Sequence, residues 1–206
     1  MFNDRYGLTE AVLSGRKTQT RRIIKSQPTF NEHQGIEWRG SAYGLSGQLD
    51  EIKGSCKNFI TGTEYDKSCN RYRVGEVVAV AQSYRDIACR ALFDDLKEAY
   101  RTYPTKLAGW TNKMSVRADL MPHQICITNV RVERLNDISA DDCEKEGIYR
   151  DVDPMGPCEL IWTFPNAPQW YWTPREAYAA LIDRIAGKGV WYSNPYVFVY
   201  DFELVK

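Results

Sequence analysis

The segment from Tyr196 to Val205 constrains the fold most, because its pattern is that of a long β-strand with two distinct faces. Tyr, Phe, Tyr, Phe and Leu occupy every second position, and Val, Val, Asp and Glu stand between them. Two further strands are predicted. The run from Val77 to Ala81 is apolar and β-branched, as is typical of a buried strand. The segment from His123 to Leu135 alternates with one change of register at Thr128-Asn129, which indicates a β-bulge.

Helix signals lie between these strands. Ser139 is placed to cap a short helix that ends at Gly147, and residues 173–176 form a capping box with proline at the first helical position. Further helices are predicted from Thr9 to Ser14 and from Ile87 to Tyr100. Strands separated by long connections, with helices of unequal length, predict an α+β fold: a small mixed or antiparallel β-barrel flanked by helices.

The length and charge of the chain limit its organisation and its partners. At 206 residues it is long enough for one well-buried domain and short for two, so we expect a single domain over residues 1–206. Two stretches, about 27–70 and 150–172, are predicted to be long irregular insertions. The net charge of zero excludes a global basic field for bulk nucleic-acid binding. The sequence has no apolar run of membrane-spanning length and no apolar leader, so we expect a cytoplasmic protein without a membrane partner.

The six cysteines are scattered, without a C-x-x-C pair, so we expect free thiols in a reducing compartment. A zinc site on Cys56 and Cys69 is conceivable, since both lie in one loop-like stretch. Neither a nearby histidine nor a second cysteine pair supports such a site. We therefore expect neither a metal nor a cofactor.

The octet from Gly15 to Arg22, G-R-K-T-Q-T-R-R, places cations and hydroxyls between a short helix and a strand. On an ideal strand, Lys17 and Thr20 would point to opposite faces, because they are three residues apart. They can share a pocket if Lys17 lies in the turn that leaves the helix and the strand begins only after it. Two interpretations stay open: a site that holds an anion or polarises a carbonyl, and a solvated basic strand edge.

Glu146 falls in the last turn of the helix capped by Ser139. There it is either a general acid or base, or a solvent-facing carboxylate paired with Lys145 or Arg150. His123, at the head of a strand, is a candidate ligand contact or a structural hydrogen-bonding group. Near the last strand, aromatic rings either stack on a planar ligand such as a base or close the edge of the core; this group comprises Trp191, Tyr192 and the neighbouring Asn194.

Six segments match, in order, the pattern of one known family. They are the octet at Gly15–Arg22, Y-R-V-G-E-V-V-A-V at Tyr72–Val80, M-P-H at Met121–His123, V-R-V-E-R-L-N-D-I at Val130–Ile138, E-K-E-G-I at Glu144–Ile148 and N-P-Y-V-F-V-Y-D-F-E at Asn194–Glu203. With them the chain resembles the ASCH domain family, a branch of the PUA-like superfamily, in the larger form common in phage and bacterial genomes. The matches run from near one end of the chain to near the other, and the two insertions have no counterpart.

The resemblance implies a compact PUA-like β-barrel with a cleft beside the K-T-x-T-x-R segment, and a nucleoside or RNA, short or single-stranded, as partner. Small bacterial ASCH proteins include an amidohydrolase that removes the acyl group from N4-acetylcytidine. Its catalytic Lys, Thr and Glu correspond to Lys17, Thr20 and Glu146. In these roles the lysine, desolvated in a cleft, would act as base or nucleophile, the threonine would orient the attacking group and the glutamate would shuttle a proton.

The expected substrate-binding set completes this site. Either of two arginines would stabilise oxyanion charge or bind phosphate, and the sequence does not separate them; the set comprises Arg21, Arg22, Tyr84, His123, Trp191 and Asn194. Two alternatives stay open: a non-catalytic module that binds RNA or a modified nucleotide, and a ribonuclease, an activity associated with another ASCH protein. A structural or phage-accessory interaction protein is a further possibility.

The chain departs from its larger relatives after the G-E-V-V turn. They carry W-V-R-E-T-W, whereas residues 79–84 here read A-V-A-Q-S-Y. The charged Arg-Glu pair is thus replaced by Ala81-Gln82, and the final aromatic by Tyr84. If that pair lines the cleft, this chain has lost charge there.

Overall fold

A computed structural model describes residues 2–25, 27, 29–31, 35–38, 41–43, 72–90, 108–152 and 160–205. These residues form an α+β structure with few helices, whose main antiparallel sheet curls into a half-barrel. The strands, in chain order, are β1 (Gln19–Ile23), β2 (Thr29–Asn31), β3 (Gly35–Trp38), β4 (Ser41–Tyr43), β5 (Val77–Ala79), β6 (Gln124–Arg134), β7 (Tyr149–Val152), β8 (Leu160–Thr163) and β9 (Tyr196–Leu204). The helices are α1 (Leu8–Leu13), α2 (Tyr84–Arg90), α3 (Ala140–Lys145), α4 (Pro174–Ala186) and α5 (Val190–Ser193). Short 3-10 helices lie at Asp4–Tyr6, Ala118–Leu120 and Leu135–Asp137.

Strand β9 lies inside the main sheet, as its two-sided pattern predicts. Within the described ranges that sheet has the order β1-β9-β6-β5, and every pairing in it is antiparallel. The register between β6 and β9 shifts between Ile127 and Asn129, so the predicted bulge is confirmed. A bulge bends a strand and increases its twist, which fits the curled shape of the sheet.

The two faces of β9 contribute to two hydrophobic clusters. Val197 and Val199 pack with residues of α3, α4 and the N-terminal segment. Phe198, Tyr200 and Phe202 pack with β6, with Val12 of α1 and with Val80. Residues of α1, α3 and α4 therefore pack against the sheet.

The local helix signals are confirmed. The Ser139 hydroxyl accepts a hydrogen bond from the Asp142 amide at the start of α3. Thr173 and Glu176 form the predicted reciprocal capping box at the start of α4. Of the described helices, none is long and apolar enough to cross a bilayer.

Two sequence expectations differ from the structure. The Val77 strand is not buried: it forms one edge of the sheet, with Val77 itself exposed, and the buried apolar side chain is Val80, just after the strand ends. The helix expected from Ile87 begins earlier, at Tyr84, because Ser83 Oγ accepts from the Asp86 amide at its start. Residues 91–107, the rest of that predicted helix, lie outside the described residues.

The described parts of the predicted insertions are more regular than expected. Strands β2, β3 and β4 pair as an antiparallel meander inside the first insertion, and residues 44–71 lie outside the described residues. Strands β7 and β8 pair antiparallel where the second insertion was expected. In these strands the backbone N–H and C=O groups form hydrogen bonds with a neighbouring strand. The weak periodicity of the sequence did not reveal this pairing.

Candidate functional site

The turn between α1 and β1 determines the direction of the Lys17 side chain. Gly15 ends α1 in the left-handed region, with φ +73°, and the Lys17 amide donates to the Ala11 carbonyl oxygen at 2.8 Å. Strand β1 begins only at Gln19. Lys17 therefore does not follow the alternation of the strand, and it shares a pocket with Thr20, which an ideal strand would forbid.

Helix α3 supplies Glu146 from its C-terminal end. Glu146 is the C-cap of the helix, and the next residue, Gly147, turns the chain with φ +106°. A Cβ atom at Gly147 would lie 3.7 Å from Lys17 Cδ, so the two backbone segments approach closely. In addition, the Thr18 amide donates to the Lys145 carbonyl oxygen at 3.0 Å. These contacts tie the end of α3 to the turn before β1.

Lys17 and Glu146 form a buried ion pair. The Lys17 Nζ atom lies 2.5 Å from Glu146 Oε2 and donates to the Glu146 carbonyl oxygen at 2.7 Å. The side chains are 1% and 6% exposed, respectively. The alternative pairing of Glu146 with Lys145 or Arg150 is wrong, since Lys145 pairs with Asp142 and Arg150 with Glu144.

Burial lowers the pKa of Lys17, because an ammonium group is poorly solvated there. The Glu146 carboxylate opposes this effect, and the nearby charges of Arg22 and Arg21 add to it. The net direction is downward from 10.5. A lysine with a lowered pKa releases its proton more readily than an exposed lysine does.

The ion pair lies in a pocket of about 250 Å³. Polar groups on one side come from Lys17, Thr20, Arg21, Arg22 and Glu146. Apolar walls come from the N-terminal segment, α1 and α4, with the lining residues Phe2, Leu8, Tyr178, Leu181, Ile182 and Ile185, and Asn3 completes the lining. Burial, together with the Glu146 charge, raises the pKa of Tyr178 well above its ordinary value, so its hydroxyl stays protonated.

The two arginines of β1 have different environments. Arg21 is buried, and its guanidinium lies 3.2 Å from carboxylate oxygens of both Glu133 and Asp142 and 3.3 Å from Glu146 Oε1. Burial alone would lower the pKa of Arg21, but the carboxylates, Glu146 foremost, raise it overall. Arg21 thus holds Glu146 in place, whereas Arg22 is exposed and lines the pocket.

Arg21 belongs to a larger ionic cluster that sequence reasoning missed. Arg131 Nε lies 2.6 Å from Glu133 Oε1, and the same guanidinium pairs with Asp142 and Asp201. The side-chain nitrogen Nε2 of Gln19 donates to Asp201 Oδ1 at 2.6 Å and to Asp142 Oδ1 at 3.2 Å. A sequence signal exists: Arg131, Glu133 and Asp201 are charged residues within strands whose neighbouring positions are largely apolar. Their pairing across the sheet is not visible in the sequence.

Four residues of the expected substrate-binding set are not among the residues that line this pocket. Tyr84 is buried in a separate cluster with Ile87 and Met121, and its hydroxyl accepts from the Arg117 amide at 2.9 Å. His123 precedes β6, and its carbonyl oxygen accepts from the Val80 amide. The contacts that the structure shows for Tyr84 and His123 are structural ones.

Trp191 and Asn194 also have structural contacts. Trp191 packs edge-on against Tyr178, with ring centroids 6.1 Å apart, so it stands behind a pocket wall. Asn194 adopts a left-handed conformation at the end of α5, and its side-chain oxygen accepts from the Asn136 amide at 2.8 Å. A stacking role for Trp191 at the pocket would require displacement of Tyr178.

A second, smaller pocket of about 40 Å³ adjoins the first. The two share three lining residues, Phe2, Thr20 and Arg22. The other walls are apolar or aromatic side chains from β5, β6 and β9 and their flanks, namely Tyr72, Val78, Ala79, Ala81, Ile125, Ile127, Tyr200 and Phe202. Ala81 lies here, and the neighbouring Gln82 is buried elsewhere. Of these two neighbours, Ala81 therefore lines the second pocket and Gln82 does not.

Within the described part of the chain, no three His, Cys, Asp or Glu side chains are grouped so that they could hold a metal ion. Cys56 and Cys69, the conceivable zinc ligands, lie outside the described residues. Cys126 and Cys143 are free thiols, as expected. Burial raises the pKa of Cys143 to about 12, so this thiol stays protonated and unreactive.

Comparison with known proteins gives no relative from which a function could be transferred. No protein-family model, curated protein or solved structure matches this chain. A function has to be argued from the pocket itself, which combines a buried amine–carboxylate pair, a hydroxyl and a cationic rim.

Proposed function

We propose that this chain is an ASCH-type protein with a PUA-like barrel, and that it hydrolyses the amide of an N4-acylated cytidine. One observation carries the proposal: Lys17 Nζ lies 2.5 Å from Glu146 Oε2 in a pocket that Thr20 and Arg22 also line. An amine with a lowered pKa beside a carboxylate is suited to acid–base chemistry. The residues of the resemblance are the same three that this pocket brings together.

The reaction converts an amide and one water into a carboxylic acid and an amine. With its proton released to Glu146, the Lys17 amine takes a proton from water, and the resulting hydroxide attacks the acyl carbon. The oxyanion of the tetrahedral intermediate is stabilised by the Thr20 hydroxyl and the Arg22 guanidinium. When the C–N bond breaks, the proton held by Glu146 goes to the cytosine N4 nitrogen, and cytidine leaves. Lys17 now carries the proton taken from water, and transfer of this proton to Glu146 restores the neutral amine and carboxylic acid for the next cycle.

The size and charge of the site favour a nucleoside over a long nucleic acid. A pocket of about 250 Å³ is close to the lower end of small-molecule sites. Binding to a long nucleic acid relies on many phosphate contacts, and the chain as a whole has no net charge. A single nucleoside, or one flipped-out base of a short RNA, needs no such field.

The test is incubation of the protein with N4-acetylcytidine, with cytidine release measured by chromatography. We expect turnover by the wild type and a loss of at least about 100-fold in kcat for Lys17→Met and for Glu146→Gln, as is typical for removal of an acid–base group. The matched controls are Lys145→Met and Glu144→Gln. Lys145 and Glu144 are of the same residue types and lie within two positions of Glu146, but they do not line the pocket. Both controls should keep the wild-type rate.

Three results would contradict the proposed reaction or its place in this pocket. Saturable binding of cytidine or a short RNA without turnover would indicate the non-catalytic binding module. Cleavage of RNA would indicate the ribonuclease alternative. Turnover that survives both Lys17→Met and Glu146→Gln would show that the reaction takes place elsewhere on the protein.

A further inference from the structure

The small pocket beside Thr20 and Arg22 has a composition and a size that suit one part of a substrate. We propose that it is an acyl subsite, which accepts a short branched aliphatic group on the carbonyl carbon of the scissile amide. This inference rests on the proposed amide hydrolysis and adds the identity of the acyl group. The preferred substrate would then be an N4-isobutyryl-type cytidine rather than the acetyl compound.

Adjacency of the two pockets places the amide at their junction. Phe2, Thr20 and Arg22 line both of them, whereas Lys17 and Glu146 line the larger one. In an acylated nucleoside, the amide is the link between the polar base and the apolar acyl chain. With the nucleoside in the larger pocket and the chain in the smaller one, that link lies beside the Thr20 hydroxyl and the Arg22 guanidinium.

The volumes decide which half of the substrate goes where. A nucleoside cannot fit into about 40 Å³, so it requires the pocket of about 250 Å³. One water-sized group needs roughly 10–15 Å³, so the smaller pocket has room for about three or four water-sized groups, which is close to the size of three bonded carbon atoms. An acetyl group offers one carbon beyond the carbonyl, isobutyryl offers three, and a phenyl ring offers six. Isobutyryl therefore matches the space best.

The walls of the small pocket are suited to an alkyl group. Most of its lining is aliphatic or aromatic, and the polar groups that reach it include Thr20 and Arg22 at the shared side. Ala81, with its single-methyl side chain, is one of the residues that line this pocket. A long cationic side chain at this position would take up the space, so alanine leaves it open to an apolar group.

The experiment compares kcat/KM for three probes: N4-acetylcytidine, N4-isobutyrylcytidine and N4-benzoylcytidine. One methylene in an apolar pocket changes this ratio by about 10-fold or more. We expect N4-isobutyrylcytidine to exceed N4-acetylcytidine by at least about 10-fold and N4-benzoylcytidine to be the poorest of the three. Equal values for the acetyl and isobutyryl compounds, or a preference for the acetyl compound, would overturn the subsite.

Three variants locate the preference. Ala81→Leu fills the pocket, so the isobutyryl group can no longer make its apolar contacts there. The ratio of kcat/KM for the isobutyryl compound to that for the acetyl compound should fall to about one. Val78→Ala enlarges the pocket and should raise the benzoyl-to-isobutyryl ratio. The matched control is Val77→Ala, which alters the neighbouring, exposed side chain of the same edge strand and should leave both ratios unchanged. A ratio unaffected by Ala81→Leu in a folded protein would overturn the proposal.

Binding separates this proposal from the proposed hydrolysis. If none of the three compounds is hydrolysed, titration calorimetry with the same compounds tests the pocket alone. Tightest binding of N4-isobutyrylcytidine, with the preference lost in Ala81→Leu, would support the subsite and contradict only the hydrolysis. Equal affinities for all three compounds, or no binding of any, would overturn the subsite as well.

Discussion

The Lys17–Glu146 pair is unusual because both of its charges are almost completely removed from water. Desolvation of an ion costs several kcal/mol, and only close contact and further hydrogen bonds offset it. Here the offset comes from the 2.5 Å contact, from the Glu146 carbonyl oxygen and from Arg21 at the second carboxylate oxygen. The pair is therefore held together while Lys17 is kept close to releasing its proton.

Replacement of Lys17 should change how stability depends on pH. The pKa of Lys17 is lowered in the folded state and near 10.5 in the unfolded state, so the unfolded chain binds more protons between these two values. In that window, a rise in pH stabilises the wild type relative to Lys17→Met, which lacks the amine. Urea unfolding of both proteins from neutral pH to above pH 10.5 measures how this difference changes. A difference that stays constant over this range would show that the pKa is not lowered.

Neighbouring residues of β1 have different roles because the strand alternates. Gln19 and Arg21 point into the buried ionic cluster, whereas Thr20 and Arg22 face the two pockets. The sequence could not separate the two arginines, since both follow a threonine-containing basic run. In the structure Arg21 contacts Glu146, whereas Arg22 is exposed and lines both pockets, so we propose Arg22 as the ligand contact.

Two turns, rather than regular elements, set the geometry of the pocket. Gly15 ends α1 before Lys17, and Gly147 ends α3 after Glu146. Both have positive φ, but their values differ: +73° lies near the left-handed helical region, whereas +106° lies well outside it. An alanine tolerates the first value at a modest cost and the second only with considerable strain.

Gly147→Ala should therefore destabilise the protein by about 2–3 kcal/mol, and Gly15→Ala by only about 1 kcal/mol. The added Cβ at Gly15 meets no atom of the described residues within 4 Å, so this variant isolates the backbone cost. The added Cβ at Gly147 makes ordinary contacts with Leu8, Ala11 and Lys17, so its larger cost also arises from the backbone. Urea unfolding measures both values. Equal costs would mean that the turn at Gly147 relaxes to a common left-handed conformation.

Local signals in the sequence predicted the elements that they control directly. The hydroxyl cap at Ser139, the box at Thr173–Glu176 and the bulge in β6 all depend on residues a few positions apart. The pairing of β7 with β8 and the edge position of β5 were not predicted. Both depend on which strands become neighbours, and burial of a strand is set by its partners rather than by its own composition.

The residues of the candidate site were also predicted only in part. Lys17, Thr20 and Glu146 were selected by resemblance, and a glycine stop gave a local reason for Lys17 to leave the strand alternation. The positioning role of Arg21 was not predicted, because its carboxylate partners lie between 112 and 125 residues away along the chain. Tyr84 and Trp191 were expected at the ligand, since the chemistry of an aromatic ring does not reveal which cluster it joins.

Across the whole molecule, the ionic cluster connects segments from both ends of the chain. Arg21 comes from β1, Arg131 and Glu133 from β6, Asp142 from α3 and Asp201 from β9. Strands β1, β9 and β6 are adjacent in the sheet, and α3 lies against them. The cluster thus fixes the position of α3, and through it that of Glu146, relative to the turn that carries Lys17.

Removal of the central cation should destabilise the fold. Arg21→Met would leave the carboxylates of Glu133, Asp142 and Glu146 with less compensation, and we expect a loss of about 3–5 kcal/mol at neutral pH, as for other broken buried ion pairs. Urea unfolding measures the loss. If Arg21→Met does not fold, Arg21→Lys keeps the charge but has one nitrogen where the guanidinium uses two to contact three carboxylates, and it should show a smaller loss.

The loss should also depend on pH in a defined direction. Burial would raise the pKa of Asp142, but Arg21, with Lys145, Arg131 and Gln19, lowers it overall below 3.8. The stability that this carboxylate contributes is present above its unfolded value and disappears as the pH falls through its folded value. The difference in free energy of unfolding between the wild type and Arg21→Met should therefore become smaller as the pH falls below 3.8.

A surface pair provides the control for this prediction. Arg150 and Glu144 lie 3.7 Å apart, and both side chains are about half exposed. Such pairs contribute at most about 1 kcal/mol, because water already solvates both charges. Arg150→Met should therefore cost little at neutral pH and show no comparable narrowing in acid. Equal costs for Arg150→Met and Arg21→Met would mean that the cluster is solvated like a surface pair, and that β1 and α3 are held together by apolar packing alone.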